Sequence, residues 1–328
     1  MKAAYYEKQG PAAEVLRVGD LPTPQPGAGE VRVKLRCSGV NPSDWKTRRG
    51  GGNRKLIAPL VVPHSDGAGV IDAVGEGVPA SRIGERVWLW NGQWKRAFGT
   101  AAEFIALPAE QAVPLPEGVS DAEGACLGIP AFTAMQAVRL AELGPGKTVL
   151  VQAGAGSVGR YAIQMAKARG ATVLATVSSE DKAAHARSAG ADHAIDYKRE
   201  DVASRVRELT GGAGVDEVIE MNLTHNAAAY PGMIRPHGRV VVYGVDGADA
   251  TLPALWLMQN SITLKFFLIY ELTAQERRDA LAELDALLRA GKLTHVVAME
   301  LPLAEVARAH DLVESGAVTG NVVLRVAD

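Results

Sequence analysis

Thr148-Val-Leu-Val-Gln-Ala-Gly-Ala-Gly-Ser-Val-Gly-Arg-Tyr-Ala-Ile-Gln-Met-Ala-Lys-Ala-Arg-Gly170 reads as strand, glycine turn and helix. Thr148 to Gln152 is a β-branched run suited to a buried parallel strand. From Val158 the apolar residues recur at helical spacing through Ala162, Met165 and Ala166. Between them Gly154, Gly156 and Gly159 stand as G-x-G-x-x-G. In a dinucleotide-binding turn the first glycine permits a tight turn and the second lets backbone approach a pyrophosphate. The third lets helix pack on strand, and the diphosphate meets the free N–H groups at the helix start. The alternative is a glycine-rich turn that binds nothing; a strand before it and a helix after it favour the phosphate-binding reading.

Downstream, strands at Val149–Gln152, Thr172–Thr176, Glu217–Ile219 and Arg239–Tyr243 alternate with helical patterns, as a doubly wound parallel sheet requires. Thr273-Ala-Gln-Glu276 is a capping box, and Leu281, Leu284, Leu287 and Leu288 stripe a helix that stops at Gly291. Val296 to Leu301 and Asn321 to Val326 supply two more strands. Upstream the rhythm differs. Residues 1 to about 120 carry short β runs, Glu30–Arg36, Gly69–Val74 and Glu85–Trp90, separated by Pro and Gly turns. Ser120-Asp-Ala-Glu123 is a second capping box, opening a small-residue helical region that ends at Gly144-Pro-Gly146.

A length of 328 residues suits about two domains, and 47% hydrophobic with 22% charged residues is ample for sizeable cores. The net charge of −2 and the lack of an aromatic–basic motif argue against nucleic acid as a partner. No apolar run approaches the roughly 20 residues of a membrane span, and Met1-Lys-Ala-Ala-Tyr-Tyr starts as a strand; a cytoplasmic location is expected. Cys37 and Cys126 stand far apart, which suits buried thiols in a reducing compartment. The seven histidines have no zinc spacing. Among them His64 lies in a glycine-rich apolar loop, as either a backbone-bonded residue or a functional one.

The second strand of a dinucleotide fold normally ends in a carboxylate that binds the adenosine 2′-hydroxyl of NAD. Here it ends in Ser178 and Ser179, with Lys182 following. Hydroxyls and an ammonium can hold a 2′-phosphate that a carboxylate would repel, which points to NADP(H). The alternative is that Lys182 is a solvated helix residue. No G-x-S-x-G nucleophile motif occurs.

Gly39-Val-Asn-Pro-Ser-Asp44, His64-Ser-Asp-Gly-Ala-Gly-Val70, Gly99-Thr-Ala-Ala-Glu-Phe104, Gly128-Ile-Pro-Ala-Phe-Thr-Ala134, the glycine loop, Val218-Ile-Glu-Met221 and Gly238-Arg-Val-Val-Val-Tyr-Gly244 together carry a resemblance. Almost the whole chain resembles the zeta-crystallin-type NADPH:quinone reductases, the zinc-free branch of the medium-chain dehydrogenase/reductases. The resemblance implies a GroES-like β-barrel domain (1–122, completed by 270–328) and a Rossmann NADP(H)-binding domain (123–269). It implies hydride transfer from nicotinamide to a quinone in the interdomain cleft. The rivals are an NADPH-dependent enone or alkenal reductase and an NADPH-binding structural or sensor protein.

The resemblance also implies site residues. Asn41 is the catalytic polar group and, with Lys46 and Thr133, contacts the cofactor. Ala155, Gly156, Ser157 and Val158 hold the pyrophosphate, and Ser178, Lys182 and Tyr197 the adenosine phosphate. Asn226, Tyr243, Gly244, Val245 and the backbone of Lys265, Phe266 and Phe267 line the ribose and nicotinamide. Several of these have plainer alternatives: Tyr197 as a half-buried strand residue, Phe266 and Phe267 as core aromatics, Asn226 as a loop cap. Lys46 stands where relatives carry tyrosine, Trp45 is also unlike many relatives, and Asn321 stands where they often have a basic residue. Zinc-dependent relatives have cysteine at Asn41 and histidine at Ser65, and their structural-zinc lobe would fall near Trp88 to Thr100, which has no cysteine; no metal is expected. The family implies a homodimer, joined through the apolar strand Ile262 to Ile269; an internal strand under a helix is the alternative.

Overall fold

Two kinds of sheet account for the change of rhythm at Thr148. The computed structural model describes residues 1–51 and 55–327. The chain begins with β1 (Lys2–Tyr5), α1 (Ala12–Val15), β2 (Arg17–Asp20), β3 (Glu30–Val40), α2 (Pro42–Arg49), β4 (Asp66–Val74), β5 (Arg86–Leu89), β6 (Phe104–Pro108), β7 (Ala112–Pro114) and α3 (Asp121–Gly124). Next come α4 (Phe132–Leu140), β8 (Thr148–Val151), α5 (Ser157–Ala168), β9 (Thr172–Val177), α6 (Glu180–Ser188), β10 (His193–Asp196) and α7 (Val202–Leu209). They are followed by β11 (Val215–Glu220), α8 (Leu223–Asn226), β12 (Ile234–Val242), α9 (Ala254–Gln259), β13 (Thr263–Phe266) and α10 (Ala274–Arg289). The chain closes with β14 (Val297–Pro302), α11 (Val306–Ser315) and β15 (Asn321–Arg325).

One unit comprises residues 1–130 and 295–328. Its main sheet runs β14-β15-β3-β4-β5-β7, with β6 also on β3. β14 pairs with β15 in parallel; the other pairs are antiparallel. The inward residues of β3, Val31, Val33 and Leu35, are wholly buried and alternate with more accessible Arg32 and Lys34, the period of two that the Pro- and Gly-punctuated sequence announces. They join Ile71, Val87, Leu89, Ile105 and Leu107 in one core. Trp88 and Trp90 are buried too, as packing residues. Cys37 and Cys126 are free, buried thiols in a small cluster with Ala125 and Val323.

The other unit, 131–294, holds an all-parallel sheet in the order β10-β9-β8-β11-β12-β13. Its central strands are nearly continuous in apolar residues because helices cover both faces. The chain leaves β8 in one direction across the sheet and returns to β11 on the other side, creating the crevice where such folds bind ligands.

The expected domain boundaries require correction. The units divide at 130/131 and 294/295 rather than 122/123 and 269/270, because α10 belongs to the parallel-sheet unit. Arg139 on α4 pairs with Asp279 at 3.1 Å and with Glu283, while Ala280, Leu284 and Leu288 are buried. The Ser120–Glu123 capping box forms, but the helical region after it breaks into α3, a π-turn at Leu127–Ala131 containing Pro130, and α4. The Thr273–Glu276 box caps α10 as expected.

Candidate functional site

Every dinucleotide position expected after Thr148 lies at the carboxyl end of one of the six parallel strands or in the loop or helix that follows it. The glycine loop follows β8 and leads into α5, a helix of 12 residues with Gly156 as its N-cap. Ala153, a non-glycine residue at φ 53°, is held by its N–H bond to Thr176 Oγ1 at 2.9 Å. Thr176 in turn donates to Gln152 Oε1 at 2.7 Å. A Cβ on Gly159 would stand 2.3 Å from the Ala153 carbonyl oxygen, so that glycine sets the closeness of helix to loop. Gly154 would meet Ala175 Cβ at 2.6 Å, so close packing on β9 demands a glycine there, at a backbone conformation open to any residue. Gly156 is exposed, the condition for backbone to approach a phosphate.

At the end of β9, Ser178 and Lys182 are half-buried. Ser179 caps α6 by accepting the Lys182 N–H, which leaves the Ser178 hydroxyl and the Lys182 ammonium out of the helix's own capping. Tyr197 just follows β10, its N–H bonded to Val177 O at 3.1 Å, and its ring is 53% exposed rather than half-buried in a strand.

β11 ends in Glu220, a wholly buried carboxylate. It accepts from Asn226 Nδ2 at 2.8 Å, from the Asn222 N–H at 2.6 Å and from Tyr230 Oη at 3.0 Å. Burial raises its pKa above the ordinary glutamate value while these donors act in the opposite direction. Asn226 is therefore an oriented side chain, and the Glu220 that orients it is a residue the sequence reading did not single out. Tyr243, Gly244 and Val245 follow β12, where a Cβ on Gly244 would lie 2.0 Å from Met221 O. Lys265 and Phe266 end β13, and Phe267 bonds through its N–H to Val242 O at 3.1 Å. Phe266 is 53% exposed, which corrects its reading as a core aromatic: β13 is an edge strand of the sheet. On α4, Thr133 Oγ1 is buried without a hydrogen-bond partner.

The other unit builds a polar cluster around Asn41. Asn41 precedes Pro42, which starts α2, and its backbone N–H donates to Asp44 Oδ2 at 2.7 Å. Its Nδ2 donates to Asp66 Oδ2 at 2.8 Å. Burial pushes the Asp44 carboxyl up to about 7 and Asp66 well above the usual carboxylate range. His64 is neither backbone-bonded at its ring nor exposed: Nδ1 meets Ser38 Oγ at 2.9 Å and Nε2 meets His310 Nε2 at 2.9 Å. Desolvation lowers the pKa of both histidines, His64 to about 3, so the pair is neutral and works as a hydrogen-bonded strut. Lys46 is half-buried with its Nζ 5.7 Å from the Trp45 ring centre. Asn321 is spent on structure, donating to Val296 O at 3.1 Å.

A zinc ion does not suit these side chains. Asn41 has already committed an amide hydrogen to Asp66, and Ser65 is buried; neither offers the thiolate or imidazole that zinc takes. Among the described residues no group of three or more His, Cys, Asp or Glu is placed to hold a metal ion.

Comparison with known proteins gives these features a lineage. Residues 27–117 match the alcohol dehydrogenase GroES-like domain family, and residues 157–286 the family described as zinc-binding dehydrogenase. The quinone oxidoreductase of Rattus norvegicus is 32% identical over 322 residues, 97% of this chain and 95% of its own. A solved NAD-dependent alcohol dehydrogenase superposes with a TM-score of 0.90 at 34% identity, covering 100% of both chains. The Escherichia coli quinone oxidoreductase, solved in complex with NADPH, superposes with a TM-score of 0.87 at 28% identity over 99% of this chain and 100% of its own. With a GroES-like unit, a dinucleotide unit and amide and hydroxyl groups where zinc ligands would stand, this chain belongs to the quinone oxidoreductase family, the zinc-free branch of the medium-chain dehydrogenase/reductases.

Proposed function

We propose that the protein is a zinc-independent, NADPH-dependent quinone oxidoreductase. The observation that carries this reading is the full-length likeness to quinone oxidoreductases. NADPH, when bound, supplies the hydride. Ala155 to Val158 hold its pyrophosphate on the N–H groups that start α5, and Ser178, Lys182 and Tyr197 receive the adenosine phosphate. Asn226, Tyr243 to Val245 and the Lys265–Phe267 backbone hold the ribose and nicotinamide, with Thr133, Asn41 and Lys46 completing the contacts. Asn41 has a second amide hydrogen for the oxygen that gains negative charge as the quinone is reduced. A quinone accepts electrons readily, so positioning and exclusion of water carry more of the task than a dedicated acid.

NADPH consumption by the purified protein with 1,4-benzoquinone, 9,10-phenanthrenequinone and an α,β-enone tests the reading. Rapid oxidation with the quinones, unchanged by EDTA, is expected. Turnover with the enone alone would make the protein a C=C reductase; tight NADPH binding without turnover would make it a structural or sensor protein.

The chain is read as a homodimer acting in the cytoplasm on small molecules, where its two buried thiols stay reduced. β13 is an edge strand; its Phe266 and, two residues beyond it, Leu268 are 53% and 48% exposed, a surface that invites aggregation unless a partner strand covers it. Phe266→Glu should yield monomers in sedimentation; a variant sedimenting like the wild type would place the interface elsewhere.

A further inference from the structure

Asn41 is held from two sides by carboxyl groups, and among the described residues neither is paired with a cation. Asp44 takes its backbone N–H and Asp66 one hydrogen of its amide. Asp66 is wholly buried, and its Oδ1 has no hydrogen-bond partner. A Cβ on Gly128 would lie 2.4 Å from Asp66 Oδ1 and 2.4 Å from the Leu89 carbonyl oxygen, so only a glycine fits beside this carboxyl group. A buried carboxylate oxygen without a donor is costly to keep charged, and a proton on the group removes that charge. Around Asp66 stand Asn41 and Asp44 from α2 and its cap, Thr100, whose hydroxyl donates to the Asp66 backbone oxygen at 2.5 Å, the Cys126 thiol and the Ile129 N–H. None of these supplies a positive charge.

We propose that Asp66 is a positioning residue that works as a neutral acid. It fixes the Asn41 amide through one hydrogen, leaves the second for the substrate oxygen, and sets no negative charge behind that oxygen as it becomes anionic. The inference rests on the quinone-reduction reading, since it assigns Asn41's free hydrogen to the reduced oxygen. An ionised Asp66 would oppose the developing charge through the same amide that is meant to stabilise it. Burial, the largest effect, and the like-charged neighbour Asp44 favour the protonated form, while the Asn41 amide and the Ile129 N–H act in the opposite direction.

Three measurements test this. Asp66→Asn keeps an acceptor for Asn41 and cannot ionise, so its kcat should stay within about threefold of wild type. Wild-type kcat should fall at alkaline pH as Asp66 loses its proton, and that fall should be absent from this variant. Asp66→Ala should lower kcat by about 10- to 100-fold. Infrared difference spectra of wild type against Asp66→Asn should show the carbonyl stretch of a protonated carboxylic acid at neutral pH. An Asp66→Asn variant as slow as Asp66→Ala, or the absence of that band, overturns the proposal. If Asp66→Ala fails to fold, the Asp66→Asn pH profile and the band decide. If wild type oxidises no NADPH with any quinone while the band is present, the functional reading falls and the neutral Asp66 stands.

Discussion

Gly159→Ala should remove measurable NADPH binding at concentrations that saturate wild type and lower the stability of the parallel-sheet unit. The added Cβ would stand 2.3 Å from the Ala153 carbonyl oxygen, 2.9 Å from Gly154 Cα and 3.0 Å from the Ala153 carbonyl carbon. All three are backbone atoms, so no flexible side chain can swing aside. Ala153 itself is fixed by Thr176, and the Gly154 N–H is tied to Thr176 O at 2.9 Å. Either α5 moves off β8 or the loop leaves its place over the helix start, and both remove the N–H groups that receive a pyrophosphate. Overpacking of this kind costs about 1–3 kcal/mol, and the lost phosphate cradle should raise the NADPH Kd by more than about 100-fold. Gly156→Ala is the matched comparison: its Cβ would meet only the Ala153 oxygen, at 3.2 Å. That variant should keep its unfolding midpoint and bind NADPH about tenfold more weakly, because a methyl group obstructs the approach of phosphate. Coenzyme titration and chemical denaturation check both; Gly159→Ala binding NADPH like wild type would remove the loop from the cofactor site.

The glycine loop was legible because its constraints are local: strand, turn and helix follow one another within 23 residues of sequence, from Thr148 to Gly170. Ser178 directly follows β9 and Lys182 stands in the first turn of α6, so their places too are fixed within a few residues of sequence. What the sequence conceals is juxtaposition across long separations. His64 and His310 meet ring to ring across 246 residues, and Asn41 meets Asp66 across 25. Nothing in spacing, composition or periodicity announces such pairs. The leucine stripe of α10 was readable as a stripe, but a stripe does not say what it packs on; the partner is α4, more than a hundred residues upstream, whose Arg139 pairs with Asp279 of α10. Phe266 failed for a related reason. An apolar run reads as buried whether its strand is central or at an edge, and the order of strands is set by the whole sheet.

Ser178→Asp should move the coenzyme preference from NADPH toward NADH, and Ser178→Asp with Lys182→Ala should invert it. Ser178 lies immediately beyond β9, in the position from which a carboxylate normally reaches the adenosine 2′-hydroxyl. With serine there, a 2′-phosphate would meet a hydroxyl donor and the Lys182 ammonium instead. A charge-assisted hydrogen bond contributes about 1.5–3 kcal/mol, so Lys182→Ala alone should lower kcat/KM for NADPH by about 10- to 100-fold and leave NADH unaffected. An aspartate at 178 adds repulsion of the phosphate and a new acceptor for the ribose hydroxyl. The ratio of kcat/KM values, NADPH over NADH, should therefore fall by about 1,000-fold or more in the double variant. Folding provides little confusion, because α6 is capped by Ser179 Oγ on the backbone N–H of residue 182, and neither altered side chain takes part in that bond. If the ratio does not change, the adenosine end of the cofactor is recognised elsewhere; if it inverts while the rate with the preferred coenzyme and a quinone persists, the phosphate pocket and the reducing chemistry are separable parts of the same molecule.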